Sequence, residues 1–156
     1  LPVPVKFITK KELFAIPLYG SALRAAGHVR LARARAREAM GVYAKAARQV
    51  VERKLTMLVF PEGTRTLTGE LLPFKKGAFV LAIEAGVPIV PAYIANTFGI
   101  QPKGSIRVHP RPIRILLAPP IPSAGLAVGD RDALAERVRE AIMALQARVD
   151  STEARG

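Results

Sequence analysis

Six consecutive residues, Phe60-Pro61-Glu62-Gly63-Thr64-Arg65, place a carboxylate, a glycine, a hydroxyl and a guanidinium directly after a proline. They follow a short apolar run, Met57-Leu58-Val59, which reads as a buried strand stopped by Pro61. In α/β proteins ligands collect where strands end and loops begin. A glycine at such a place lets backbone approach a ligand closely. An arginine there offers a planar fork of donors that matches a phosphate. The segment is therefore a candidate anion-binding corner, with Arg65 on the anion and Glu62, Gly63 and Thr64 shaping the pocket. The competing reading is a tight turn in which Glu62 and Arg65 pair with each other or with backbone.

Other segments offer weaker chemistry. In Phe74-Lys75-Lys76-Gly77 a cation and free amides meet at an expected helix start, a fair anion site that ordinary surface lysines explain as well. Lys10 and Lys11 follow the first expected strand, and one of them can point to the same pocket. Arg30 and Arg33 would face opposite sides of an extended chain, so one at most reaches it. His28 and His109 are the only histidines, and neither has a carboxylate within four residues. The four serines lie in no nucleophile elbow, and neither a P-loop nor a dinucleotide fingerprint occurs. With no cysteine, thiolate catalysis, disulfides and cysteine metal sites are excluded. Phosphate-binding parts are present without an evident nucleophile or general base.

The elements that must position these residues follow from patterning. Strands are expected at residues 3–8, weakly at 28–31, and at 56–60 as the central strand. Residues 33–54 form an expected helix whose buried face carries Met40, Tyr43, Ala44, Ala47, Val50 and Val51. Short helical pieces are expected near residues 10–20 and 21–26, and a helix over 76–85 capped by Gly86. Residues 87–94 are β-rich although Pro88 and Pro91 argue against a regular central strand. Residues 105–109 and 113–118 suggest a strand pair, and 119–129 a linker. Residues 130–149 form an amphipathic helix with Asp130 as N-cap and Leu134, Val138, Ala141, Ile142, Leu145 and Val149 on one stripe. The sum is a single α/β domain, a sandwich of a mixed, largely parallel sheet flanked by helices. Residues 1–118 would be its core, with 119–156 packed on the same domain.

The chain has 156 residues and a formal net charge of +12. Residues 1–118 hold 19 Lys and Arg against 6 Asp and Glu, a net of +13, so the basic part faces something anionic or is a solvated basic surface. A nucleic-acid-binding domain is one class this charge suggests, but aromatics are 6% with no tryptophan, and no nucleic-acid motif appears. No apolar run approaches the roughly 18 residues that span a bilayer.

Taken in order, the motifs resemble the glycerolipid acyltransferases, in particular the bacterial 1-acyl-sn-glycerol-3-phosphate acyltransferases. Residues 60–65 resemble the third signature block of that family. Phe7-Ile8-Thr9-Lys10-Lys11-Glu12-Leu13 with Ile16-Pro17-Leu18-Tyr19-Gly20 fits the segment before the second block, and residues 27–33 occupy that block. Residues 72–79 fit the stretch after the third block, and Val87-Pro88-Ile89-Val90-Pro91-Ala92 fits the fourth. In the second block the usual aromatic and aspartate positions are Arg30 and Ala32, while the final Arg33 is kept. The resemblance implies Lys10, Arg33 and Arg65 on the acceptor phosphate, Glu62, Gly63 and Thr64 around it, and Val87, Pro88 and Pro91 on the acyl side. It implies transfer of an acyl group from acyl-CoA or acyl-carrier protein to the 2-hydroxyl of lysophosphatidic acid, without cofactor, metal or nucleic acid. It also implies a peripheral place on an anionic membrane, at the cytoplasmic face of the inner membrane. The family's catalytic histidine and aspartate, five positions apart, are expected upstream of Leu1. The 156 residues are thus expected to be an inactive fragment, the alternatives being a non-catalytic lipid-binding relative or a basic nucleic-acid-binding domain.

Overall fold

The computed structural model describes residues 5–31, 36–101, 104, 105 and 107–153. Strand β1 (Val5–Lys10) runs into a 3-10 turn (Lys11–Ala15), then helix α1 (Tyr19–Ala25) and strand β2 (Val29–Leu31). Helix α2 (Ala36–Arg53) leads to β3 (Thr56–Leu58). After a long loop come α3 (Gly77–Ala85), β4 (Ala92–Ile94), β5 (Ile115–Leu117) and the terminal helix α4 (Arg131–Glu153). The strands form two small sheets, a parallel one in the order β2-β1-β3 and an antiparallel β4-β5 pair.

The fold class is the expected α/β arrangement, with two corrections. The central strand of the parallel sheet is β1, not the strand at 56–58. The crossover through α2 carries β3 to the far side of β1, where it becomes an edge. Among the described residues, 105–109 and 113–118 do not pair with each other. Pro110 and Pro112 remove ladder donors, and only residues 115–117 become a strand, which pairs with β4. In the linker at residues 119–129, Ile121 bridges to Ile89 and Ser123 is fully buried.

Two hydrophobic clusters hold the layers together. Ile8, Val29 and Met57 of the parallel sheet pack on Ala46, Val50 and Leu81 of α2 and α3. Among the described side chains of α2 the buried ones are Ala46, Ala47 and Val50, Tyr43 and Ala44 are half-buried, and Val51 is 56% exposed, while the side chain of Met40 lies outside the description. At 3.6 residues per turn, 46, 47 and 50 share the inner face and 51 swings off it. The second cluster joins Phe79 and Ile83 of α3 to Leu134, Val138 and Ile142 of α4. Each such side chain contributes about 1.5–3 kcal/mol on full burial. The C-terminal stripe read from the sequence is therefore real, and it binds the last helix to the same helix that follows the candidate site.

Candidate functional site

The site begins where β3 ends. Gly63 adopts a left-handed backbone, φ 66°, and its amide donates to the Phe60 carbonyl at 3.0 Å, so the chain turns sharply between them. A side chain there would meet the distal atoms of Lys75 at 2.8 to 3.0 Å. The missing Cβ is what lets the Lys75 stem lie across the turn. The Lys75 amide donates to the Pro61 carbonyl at 2.8 Å, which fixes that strand of loop against the corner.

The two charged residues of the corner are tied to backbone. Glu62 Oε2 accepts from the Leu72 amide at 2.7 Å. One Arg65 nitrogen donates to the Gln101 carbonyl at 3.1 Å and to Gln101 Oε1 at 3.2 Å. Arg65 remains exposed, and a guanidinium has five donor hydrogens, so this clamp orients the group while leaving donors for a ligand. Thr64 is exposed beside it. The turn reading is thus correct for both Glu62 and Arg65, which pair with backbone rather than with each other, while the exposed Arg65 keeps donors that an anion could take.

An apolar groove of about 420 Å³ meets the corner through Phe60. Phe7, Tyr19, Leu23 and His28 also line it. His28 Nδ1 accepts from the Phe7 amide at 3.1 Å, and the two rings meet edge to face at 5.2 Å. His28 therefore serves the backbone of β1 and has no carboxylate partner in the described structure. His109 is exposed on the loop beyond Ile100. Among the described residues no cluster of metal ligands occurs.

These features can be set beside known proteins. The acyltransferase family matches residues 1–95. The chain belongs to the acyltransferase family. Over 120 residues it is 39% identical to a 1-acyl-sn-glycerol-3-phosphate acyltransferase of Limnanthes douglasii, covering 77% of this chain and 43% of that protein. Over 149 residues it is 36% identical to the human 1-acyl-sn-glycerol-3-phosphate acyltransferase alpha, covering 96% of this chain and 52% of that protein. The crystal structure of the Thermotoga maritima 1-acyl-sn-glycerophosphate acyltransferase PlsC superposes with a TM-score of 0.70 at 28% identity, covering 98% of this chain and 58% of that one. The chain spans about half the length of the curated relatives it matches.

The residues expected at the site have distinct places in the structure. Arg65, Glu62, Gly63 and Thr64 stand together. Lys10 closes β1 opposite Leu31, with its side chain outside the description, and Arg33 lies outside the described residues. Val87 packs against the α2–α3 cluster, Pro91 is fully buried, and Pro88 is exposed. None of these three lines the groove beside Phe60. Lys76 turns away to an ion pair with Asp132 at 2.8 Å, leaving Lys75 as the lysine of that pair at the corner.

Three contributors were not legible as site residues. Lys75 gave only a weak local signal. Gln101 gave none. Arg139 on α4 donates to the carbonyls of Leu72 at 3.0 Å and Leu71 at 3.3 Å, with its guanidinium 5.6 Å from the Phe74 ring centroid. It thereby holds the loop whose Leu72 amide holds Glu62. Such a link across 67 residues has no signature in local sequence.

Proposed function

We propose that this chain is the acceptor-holding part of a 1-acyl-sn-glycerol-3-phosphate acyltransferase that makes phosphatidic acid. The observation that carries the reading is the join between an exposed Arg65 and an apolar groove, at Phe60. Lysophosphatidic acid has a phosphate and a hydrocarbon chain, and this join offers a partner to each. Arg65 and Lys75 hold the phosphate by charge-assisted hydrogen bonds, with Lys10 and Arg33 as further cations. Glu62 shapes the turn, and Gly63 and Thr64 leave it open.

The reaction joins the acceptor's 2-hydroxyl oxygen to the acyl carbonyl carbon and breaks that carbon's bond to the thiol sulfur of acyl-CoA or acyl-carrier protein. The hydroxyl proton passes to a general base and then to the departing thiolate. No acyl-enzyme is required, in keeping with a chain that has no cysteine. The base we assign is a histidine paired with an aspartate, outside these 156 residues, since neither His28 nor His109 has such a partner nearby in sequence. The residues at hand bind and orient, which in general can remove several kcal/mol of barrier. Val87, Pro88 and Pro91 are assigned to the framework of the acyl side.

The site of action we propose is the cytoplasmic face of a bacterial inner membrane, with peripheral attachment. Supporting this, no helix among the described residues is long and apolar enough to cross a membrane. Exposed apolar residues and a net charge of +12 suit an anionic interface.

The test is a titration of the 156-residue chain with lysophosphatidic acid and with a monoacylglycerol that lacks the phosphate. Arg65→Ala should weaken the phospholipid on the order of ten-fold or more, as loss of a charged hydrogen bond does, and leave the neutral lipid unchanged. The chain alone should show no acyl transfer. Equal affinity of Arg65→Ala and the unaltered chain for lysophosphatidic acid would reject the assignment.

A further inference from the structure

We propose that residues 107–117 form the surface by which this chain lies on an anionic lipid bilayer. The inference rests on the membrane part of the proposed function and names the face that makes contact. Residues 107–114 are all exposed. They include Arg107, Arg111 and Arg114, with His109 between and no acidic residue. Apolar side chains are interleaved with them: Val108 is 60% exposed and Ile113 is 51% exposed. The row continues into β5, where Ile115 is 62% and Leu117 is 63% exposed. Positions 113, 115 and 117 differ by two, so in extended chain they project to one side. Soluble edge strands usually carry charge or proline on such a row. Here aliphatics leave one side and cations precede them.

That composition fits a lipid interface better than a nucleic acid. Guanidinium groups suit the headgroup layer, and aliphatic side chains suit the boundary beneath it. Nucleic-acid surfaces use aromatics for stacking, and residues 107–117 hold no Phe, Tyr or Trp, with His109 as the one aromatic ring that could stack.

The segment's backbone is held, so the face is built. The His109 amide donates to the Ile100 carbonyl at 2.8 Å, and the Ala95 amide donates to the Arg114 carbonyl at 2.8 Å. Asn96 Nδ2 donates to the Pro112 carbonyl at 3.3 Å. A side chain at Gly99 would come within 3.1 Å of the Arg111 guanidinium, so that group lies against bare backbone. Gln101, next to Ile100, holds Arg65. The Ile100–Gln101 segment therefore ties the proposed lipid face to the corner at Arg65.

The experiment measures binding of the 156-residue chain to mixed phosphatidylglycerol–phosphatidylcholine vesicles by co-sedimentation. Each cation at an anionic surface is worth about a five-fold change in partitioning. The double variant Arg107→Gln/Arg111→Gln should bind on the order of twenty-fold more weakly and lose salt dependence. Val108→Ser/Ile113→Ser should bind about ten-fold more weakly at any salt. A control double variant on α2, Lys45→Gln/Arg48→Gln, removes the same charge elsewhere and should change binding little. All substituted residues are exposed, and thermal melting checks that each variant is folded.

If the strap variants bind vesicles as the unaltered chain does, the inference fails while the membrane reading stands. An equal effect of the α2 control would mean diffuse charge rather than a face, and also rejects it. So would a strap variant that changes sedimentation mass, which would mark β5 as an edge between copies, or one that weakens only duplex DNA binding. No vesicle binding by the unaltered chain would remove the membrane reading together with this inference.

Discussion

Gly63 is the residue on which the corner turns. Its left-handed φ and the Lys75 stem above it make two demands on the position, and only glycine meets both. Gly63→Ala should cost about 1–2 kcal/mol in stability from the left-handed backbone. It should also push Lys75 aside and weaken lysophosphatidic acid. Lys75→Met should give the same loss of affinity, on the order of ten-fold, with stability unchanged. Calorimetric titration paired with thermal melting separates the two. If Lys75→Met binds lysophosphatidic acid normally, Lys75 has no part in the corner. At this scale the sequence was informative about residue types and silent about partners. Glu62 and Arg65 read correctly as polar groups at a turn. That Glu62 meets the Leu72 amide, and Arg65 meets Gln101, depends on loops ten and 36 residues away.

Among the elements, helices with clean apolar stripes were legible and short strands were not. The α4 stripe is as read, because burial on a regular helix follows 3.6-residue spacing. The pairing of β5 with β4 was missed because a three-residue strand has too little pattern to name its partner. Ser123 shows what the linker does. Its hydroxyl lies 2.8 Å from the Ala82 carbonyl and 2.6 Å from the Val87 carbonyl, and its single proton serves both. This pins the end of α3 and the chain entering β4 to residues 119–129. Ser123→Ala should lower stability by about 1–3 kcal/mol, as buried carbonyls lose a donor, measured by denaturant unfolding. At the start of α4, the Lys76 hydrogen bond holds the Asp132 carboxyl below its usual range. A carboxyl lowered in the folded state contributes stability above its unfolded pKa of about 4, and loses it as pH falls through the folded value. The melting difference between the unaltered chain and Lys76→Met should therefore be present at neutral pH and fade below about pH 4. A difference that persists in acid would show that Lys76 acts by packing instead.

At the scale of the molecule, the C-terminal helix reaches the turn at residues 60–65 through the loop at Leu71 and Leu72. Arg139 holds Leu71 and Leu72, Leu72 holds Glu62, and Glu62 shapes the turn before Arg65. Arg139→Leu keeps apolar bulk beside Phe74 but removes two hydrogen bonds. It should lower stability by about 1–3 kcal/mol and weaken lysophosphatidic acid several-fold, though Arg139 touches no ligand. Amide exchange at Leu72 should rise in the variant, and unchanged exchange there would break the proposed link. The basic charge fits the same scale: the sequence fixes its amount, while its presentation beside Ile113, Ile115 and Leu117 depends on how β5 pairs. By itself the sequence determined the α/β class, the stripe of α4, and the polar turn at residues 60–65, because periodicity and residue type are local properties. The tertiary structure alone decided that β1 is central, that Lys75 rather than Lys76 enters the corner, and that Gln101 and Arg139 steady it. Those choices are set by contacts between residues distant in the chain, whose packing and hydrogen bonds leave no local pattern to read.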